Sequence, residues 1–133
     1  MKNILVLCTG NSCRSIIAEA LINAHFQGIN AYSAGVDATG KINAYAKRVL
    51  EEEGIWRESY HSKTLSSIAH IDFDLIITVC DHAKETCPLF PKPTPTLHVG
   101  FSDPDGKDFG AFILTYEAIK ATLLPIIKEK LNV

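Results

Sequence analysis

Two patterns of apolar residues alternate along the chain. Short, continuous apolar runs predict strands that are buried on both faces of a parallel sheet. The predicted strands are residues 4–7, 30–34, 75–79 and 96–99. Longer stretches, in which apolar residues return every three or four positions, predict helices. The predicted helices are residues 12–26, 43–53 and 111–131, with short helices at 64–70 and 81–87 and a loop at 101–110.

The alternation of strands and helices predicts the fold class. It favours right-handed βαβ crossovers, and therefore an α/β fold in which helices cover both faces of an open, four-stranded parallel sheet, a three-layer sandwich. Residues 1–133 are expected to form a single domain, since no linker, repeat or low-complexity segment divides them. Ligands of such sheets bind at the carboxyl ends of the strands, where Cys8, Cys80 and the loop after Val99 fall.

The segment CTGNSCRS at residues 8–15 joins the first predicted strand to the first helix. Such a loop is suited to a tetrahedral oxyanion, because backbone N–H groups and the helix N-terminus supply positive potential and Arg14 can bind two oxygens. The same field favours the thiolate of Cys8, a nucleophile beneath the anion, and Ser15 is expected to donate to its sulfur. The expected oxyanion-binding residues are Thr9, Gly10, Asn11, Ser12, Cys13 and Arg14.

Within this loop the small and polar residues have expected backbone roles. Gly10 lets the main chain approach the anion, and Asn11 is expected to adopt a left-handed conformation. Cys13 is expected to pack inward and to take no chemical step. The alternative is an ordinary buried cysteine at Cys8 followed by a helix cap, with Arg14 on the surface.

A carboxyl group follows the fourth predicted strand, at Asp103. There it could give a proton to a leaving oxygen. Taken alone, the dipeptide Asp103-Pro104 is a common turn, and Asp105 is the competing acid.

Two further cysteines, Cys80 and Cys87, follow the third predicted strand and enclose a polar segment. Two thiols there could pass oxidising equivalents by thiol–disulfide exchange. One alternative is a pair of small, half-buried apolar side chains. Another is a metal site of Cys80, His82 and Cys87, although this spacing differs from that of paired zinc ligands.

The composition narrows the class of protein further. A hydrophobic fraction of 47% and a net charge of −2 are ordinary for a globular domain and show no nucleic-acid footprint. No continuous apolar run has the length of a membrane span, and the N-terminus lacks a signal-peptide pattern. We therefore expect a cytoplasmic protein with no nucleic-acid or membrane partner, in which four cysteines serve chemistry rather than a disulfide framework.

Five motifs together resemble the thioredoxin-coupled arsenate reductases, which share the fold and anion loop of the low-molecular-weight protein tyrosine phosphatases. The similarity runs in order over nearly the whole chain. The motifs are CTGNSCRS at 8–15, YSAG at 32–35, TVC at 78–80, CP at 87–88 and GFSDP at 100–104.

The resemblance implies a relay of three cysteines for arsenic detoxification. Cys8 would attack arsenate held by the loop and Arg14, while Asp103 protonates the leaving oxygen. Cys80 would then attack the Cys8–arsenic adduct, releasing arsenite, and Cys87 would take over to give a Cys80–Cys87 disulfide. The segment between these two would loosen and present the disulfide to thioredoxin. The resemblance implies no tightly bound cofactor, phosphate and sulfate as competing anions, and a monomer.

Some members of this family bind potassium beneath the loop. The matching positions are Asn11, Glu19 and Ser33, with Thr64 where the best-known form has an aspartate. A neutral hydroxyl is a poorer ligand for a hard cation than a carboxylate, so we expect no strong potassium dependence.

Two departures favour the reductase over the phosphatases: Ile16 stands where phosphatases favour proline, and Asp105 where they usually carry an aromatic residue. Two rival functions stay open. One is a phosphatase for phosphotyrosine or small aryl phosphates, an activity a reductase could also retain weakly, and the other is a non-catalytic redox or oxyanion sensor. Glutaredoxin is the alternative electron donor.

Overall fold

The computed structural model describes residues 2–81, 83 and 93–133, and its four strands form one parallel sheet in the order β2-β1-β3-β4. The strands are β1 (Lys2–Cys8), β2 (Ile29–Gly35), β3 (Leu75–Thr78) and β4 (Thr96–His98). Around the sheet lie α1 (Arg14–His25), α2 (Ala44–Glu52) and α3 (Phe109–Leu131), with a 3₁₀ turn at Leu65–Ser67. The predicted three-layer α/β fold is confirmed.

The strand β1 lies inside the sheet and ends at the point where the site is built. Residues 4–7 are fully buried, which requires cover on both faces of the strand. The chain passes from β1 to β2 on one side and returns to β3 on the other, so the strand order reverses at β1. Crevices at such reversals are where open α/β sheets bind ligands. Leu7 pairs with Thr78 of β3, so Cys8 and Cys80 follow neighbouring strand ends.

The element boundaries differ from the predicted ones for local reasons. Helix α1 begins at Arg14, two residues later than predicted, because residues 9–13 form a loop. Helix α3 begins two residues earlier, at Phe109, because the Asp108 carboxylate accepts the N–H of Ala111 and caps it. The predicted helix at 64–70 is reduced to the 3₁₀ turn, and the one predicted at 81–87 falls largely outside the described residues.

Helix α3 is long and apolar enough to cross a membrane by length and composition, contrary to the sequence expectation. Charged residues interrupt the apolar run of α3, so the sequence analysis, which considered only continuous apolar runs, did not find it. In the structure α3 packs against α1 and α2. Its buried residues form one face: Phe112, Thr115, Tyr116, Ile119, Leu123 and Ile127. Through this face it packs on the rest of the domain.

Candidate active site

The loop between β1 and α1 turns its carbonyl groups away from its concave side. The carbonyls of residues 8, 9 and 10 accept hydrogen bonds of 2.9–3.1 Å from the segment that follows β2. The donors are the backbone N–H groups of Val36, Asp37 and Thr39. Within the described part of the chain, the N–H groups of residues 10–13 have no protein acceptor. Such unpaired N–H groups at a helix N-terminus are the donors that bind an oxyanion.

Asn11 holds this loop from beneath. It is fully buried and has a φ of 51°, so the predicted left-handed conformation is confirmed. Its amide Nδ2 donates to the hydroxyl groups of Ser15 (2.8 Å) and Ser33 (2.9 Å), while its Oδ1 accepts the backbone N–H of Lys63 (2.9 Å). The Ser33 hydroxyl in turn donates to the buried Glu19 carboxylate (2.6 Å). The loop is therefore fixed to α1, β2 and residue 63 through one side chain.

The hydroxyl of Ser15 thus accepts a hydrogen bond from the amide of Asn11. Among the described contacts its hydroxyl makes no hydrogen bond to Cys8, so its predicted action on the thiolate stays a prediction. Gly10 lies against Thr39, whose Cγ2 would be 3.2 Å from an added Cβ. Cys13 packs inward and is buried, and burial raises its pKa to about 11, although its hydrogen bond with Ser12 acts in the opposite direction.

Cys8 and Cys80 follow neighbouring strand ends, both are almost completely buried, and each shifts the pKa of the other. The hydrogen bond from Cys8 lowers the pKa of Cys80 to about 5, and donors on Thr9 (3.2 Å) and Ala83 (3.4 Å) add to this effect. The expectation that the loop favours the Cys8 thiolate is not met, because hydrogen bonding with Cys80, followed by burial, raises the pKa of Cys8 well above its usual range and outweighs the lowering by Arg14. The pKa of Cys80 is therefore the lower of the two, and the guanidinium of Arg14 lowers the pKa of both thiols.

Arg14 is held at the rim of the loop by the segment after β4. Its Nη1 donates to the carbonyl of Phe101 (3.0 Å), and its Nη2 lies 3.6 Å from the carboxylate of Asp103. Its Nε is buried and has no partner among the described residues, so a donor remains for a bound oxyanion. The rival acid Asp105 instead accepts a hydrogen bond from Asn43 (3.0 Å), so Asp103 is the carboxylate beside Arg14.

The sequence also raised a metal site of Cys80, His82 and Cys87. Among the described residues there is no cluster of three His, Cys, Asp or Glu side chains that could hold a metal ion. His82 and Cys87, two of the ligands in the Cys80–Cys87 alternative, lie outside those residues. Cys87 as the third redox cysteine likewise falls there.

The donor set proposed for potassium does not fit a cation. Asn11 directs its amide N–H₂ at Ser33, and Ser33 gives its proton to Glu19, so these groups satisfy one another. Thr64 hydrogen-bonds Ser66 instead. Positive charge comes from Lys63, which opposes the rise that burial causes in the pKa of Glu19. Sequence reasoning missed this lysine, whose only signal was its place next to Thr64.

Comparison with known proteins adds the family. The model for low molecular weight phosphotyrosine protein phosphatases matches residues 3–124. The chain belongs to this family. An arsenate reductase 1 of Staphylococcus epidermidis is 37% identical over 123 residues, or 92% of each chain.

Two solved structures share the fold of this family member. The arsenate reductase of Archaeoglobus fulgidus has a TM-score of 0.80 at 31% identity, covering 93% of this chain and 98% of that one. Vibrio vulnificus Wzb in complex with benzylphosphonate has a TM-score of 0.82 at 26% identity, covering 96% and 98%.

The anion loop of this low molecular weight phosphatase family member is suited to either reductase or phosphatase chemistry. Hydrolysis of a phosphate ester needs one nucleophilic thiol, and Cys8 at the end of β1 is in the place for it. Cys80, which lies near Cys8, is a second thiol, and hydrolysis of a phosphate ester does not require it.

Proposed function

We propose that the protein is an arsenate reductase that uses Cys8, Cys80 and Cys87 in turn and is regenerated by thioredoxin. The observation that carries the proposal is the position of Cys80, which is buried after β3 at the strand end next to Cys8 and lies 3.2 Å from the hydroxyl of Thr9 in the anion loop, because this position supplies a second thiol near the nucleophile. The relatives named arsenate reductase support the same reaction.

In the first step the loop binds arsenate through the unpaired N–H groups of residues 10–13 and the free Nε of Arg14. The Cys8 sulfur attacks arsenic and gives its proton to an oxygen of the bound arsenate, so this step does not use Cys80. One oxygen of arsenate leaves as water, with a proton supplied by Asp103. The product is a covalent Cys8–arsenic(V) adduct.

In the second step the Cys80 thiolate, whose pKa is lowered to about 5, attacks the sulfur of Cys8. A Cys8–Cys80 disulfide forms, and the sulfur–arsenic bond breaks with its electron pair staying on arsenic. Two thiols are thereby oxidised by two electrons, arsenic(V) becomes arsenic(III), and arsenite leaves.

Cys87 then attacks Cys80, which frees the Cys8 thiol and leaves a Cys80–Cys87 disulfide. Thioredoxin reduces that disulfide, so no tightly bound cofactor is needed. We place this reaction in the cytoplasm of the cell and assign it to a monomer that binds phosphate and sulfate as competing anions.

A phosphatase is the second candidate, and the loop geometry with the benzylphosphonate-bound structure of Wzb favours it. In the reductase the same loop would leave a weak side activity on aryl phosphates, which uses Cys8, Arg14 and Asp103 alone.

The test couples arsenate to NADPH consumption through thioredoxin and thioredoxin reductase. Cys8→Ser should abolish this turnover and the hydrolysis of para-nitrophenyl phosphate. Cys80→Ser and Cys87→Ser should abolish arsenate turnover while leaving the slow hydrolysis intact, which serves as the internal control for folding. Repeating the assay with glutaredoxin identifies the donor.

Multiple arsenate turnovers by Cys80→Ser would rule out the relay. Efficient phosphopeptide hydrolysis that is unaffected by Cys80→Ser and by Cys87→Ser would establish the phosphatase. If arsenate binds and no NADPH is consumed by the unmodified protein, a sensor is the better description.

A further inference from the structure

Asp81, the residue that follows Cys80, is tied to the end of the neighbouring strand. Its carboxylate lies 3.0 Å from Nε2 of His98, the last residue of β4. The other ring nitrogen of His98, Nδ1, lies 2.8 Å from the hydroxyl of Thr78, which ends β3 and is the register partner of His98. A chain of side chains thus runs from β3 through β4 to the residue next to Cys80.

The hydrogen bonding of this chain is complete in either charge state of the imidazole. An ionised carboxylate only accepts, so Nε2 of His98 carries a proton and donates to Asp81. In the neutral ring Nδ1 accepts the Thr78 proton, and in the charged ring it donates to the Thr78 oxygen. Because His98 is 23% exposed and Asp81 is 88% exposed, the ring is the anchored member and the carboxylate is the group it restrains.

The local backbone is shaped around this contact. An added Cβ on Gly100 would lie 3.1 Å from Nε2 of His98 and 3.9 Å from the Asp81 carboxylate, so a larger residue would crowd the pair. Phe101, which follows, donates its N–H to the carbonyl of Val79 and accepts from Arg14. The restraint on Asp81 therefore belongs to the same small unit that places Arg14 and Cys80.

We propose that His98 and Asp81 are positioning residues that hold Cys80 in place after β3, at the strand end next to Cys8. They act on the second step of the proposed reaction, the attack of Cys80, and not on the first attack by Cys8. The inference rests on the proposed function, and its test separates the two steps. Neither residue contacts the anion loop in the structure, so neither is a catalytic residue.

The test starts from Cys87→Ser, in which the Cys8–Cys80 disulfide accumulates because no third thiol can attack Cys80. A single turnover with arsenate is quenched at intervals, and the disulfide is measured by mass spectrometry. Adding Asp81→Ala should slow disulfide formation by roughly threefold to fivefold, the upper part of the range expected for losing an ion pair with one largely exposed partner. Asp81→Asn retains an acceptor oxygen for Nε2 and should recover most of the rate.

Hydrolysis of para-nitrophenyl phosphate by the same proteins reports Cys8 alone and should stay within about twofold of the parent, since first-step groups are untouched. Glu52→Ala, which removes the exposed ion pair with Arg48, is the matched control and should change neither reaction. If Asp81→Ala leaves the disulfide rate unchanged, or lowers both reactions equally, the proposal is wrong.

A second arm keeps the inference testable if arsenate is not the substrate. Diamide, a two-electron thiol oxidant, should form the Cys8–Cys80 disulfide in Cys87→Ser without any arsenic chemistry. The Asp81→Ala change should slow this reaction too. Slowing with diamide and no disulfide with arsenate would sustain the positioning role and reject the reductase.

Discussion

Asn11 combines several requirements of the anion loop in one residue. Its left-handed backbone turns the loop, and its buried amide makes three hydrogen bonds, to Ser15, Ser33 and the N–H of Lys63. The backbone angle costs little in asparagine, whose short side chain tolerates it, and more in alanine. The amide bonds are buried, so their loss leaves donors and acceptors without partners.

These two contributions separate in a pair of variants. Asn11→Gly keeps the backbone angle and loses the amide, so it should lower the free energy of unfolding by about 2 kcal/mol. Asn11→Ala loses both and should cost about 1 kcal/mol more, because alanine resists a φ of 51°. Urea denaturation measures the stability, and calorimetric titration with phosphate measures anion affinity, which should fall in both variants. Parent-like phosphate affinity in Asn11→Gly would show that the backbone angle alone shapes the loop.

At the scale of elements, the site depends on a contact between β2 and the anion loop. Gly35 ends β2 as the register partner of Cys8, and an added Cβ there would lie only 2.6 Å from the carbonyl oxygen of Thr9. The residues just after it turn the loop carbonyls away from the anion side. The end of β2 therefore determines which way the loop presents its N–H groups.

Gly35→Ala tests this contact. The methyl group must displace the Thr9 carbonyl, and a small displacement of a binding loop costs roughly tenfold or more in activity. We expect weaker phosphate binding and slower reaction of Cys8 with para-nitrophenyl phosphate, at unchanged helix content by circular dichroism. Gly110→Ala in the first turn of α3 is the control, since its methyl group would lie 3.5 Å from the Asp108 carboxylate, an ordinary contact. Equal behaviour of the two variants would contradict the expected crowding at Thr9.

The elements also show what the sequence could and could not predict. Buried strands and amphipathic helices have their own periodicities, so the four strands and three main helices were predictable to within about two residues. Contacts between distant segments leave no such pattern. The pairing of Thr64 with Gly35, which restricts the predicted helix at 64–70, and the approach of Lys63 to Glu19 arise only when the sheet assembles.

At the scale of the whole molecule, the reversal of strand order at β1 brings the site together. Cys8 follows β1, Cys80 follows β3, and the segment with Asp103 follows β4, so three loops meet at one edge of the sheet. Convergence at strand ends was predictable from the parallel topology. The contact of the Cys80 sulfur with the Thr9 hydroxyl of the anion loop (3.2 Å) was not, because it depends on the path of the chain after β3.

The shifted pKa values of the two thiols make the global stability depend on pH. In the folded protein the pKa of Cys80 is lowered to about 5 and that of Cys8 is raised above the ordinary thiol value of 9.0. Between about pH 5 and 9 the unfolded chain binds more protons at this pair than the folded one, so stability should rise with pH over this range. Above about pH 9 the unfolded chain loses both protons and the folded pair only one, so this contribution falls again.

Urea unfolding under reducing conditions at several values between about pH 5.5 and 8.5 measures this effect. Cys80→Ser removes the acidified thiol, so the difference in unfolding free energy between the parent and this variant should grow as the pH increases. Subtracting the variant cancels other titrating groups, such as Glu19. The ultraviolet absorbance of the thiolate gives an independent reading, because the Cys80 thiolate should persist to about pH 5 in the parent. A difference that stays flat across this range would mean that the two sulfurs titrate as ordinary, separate thiols, and the argument for a poised second nucleophile would fall with it.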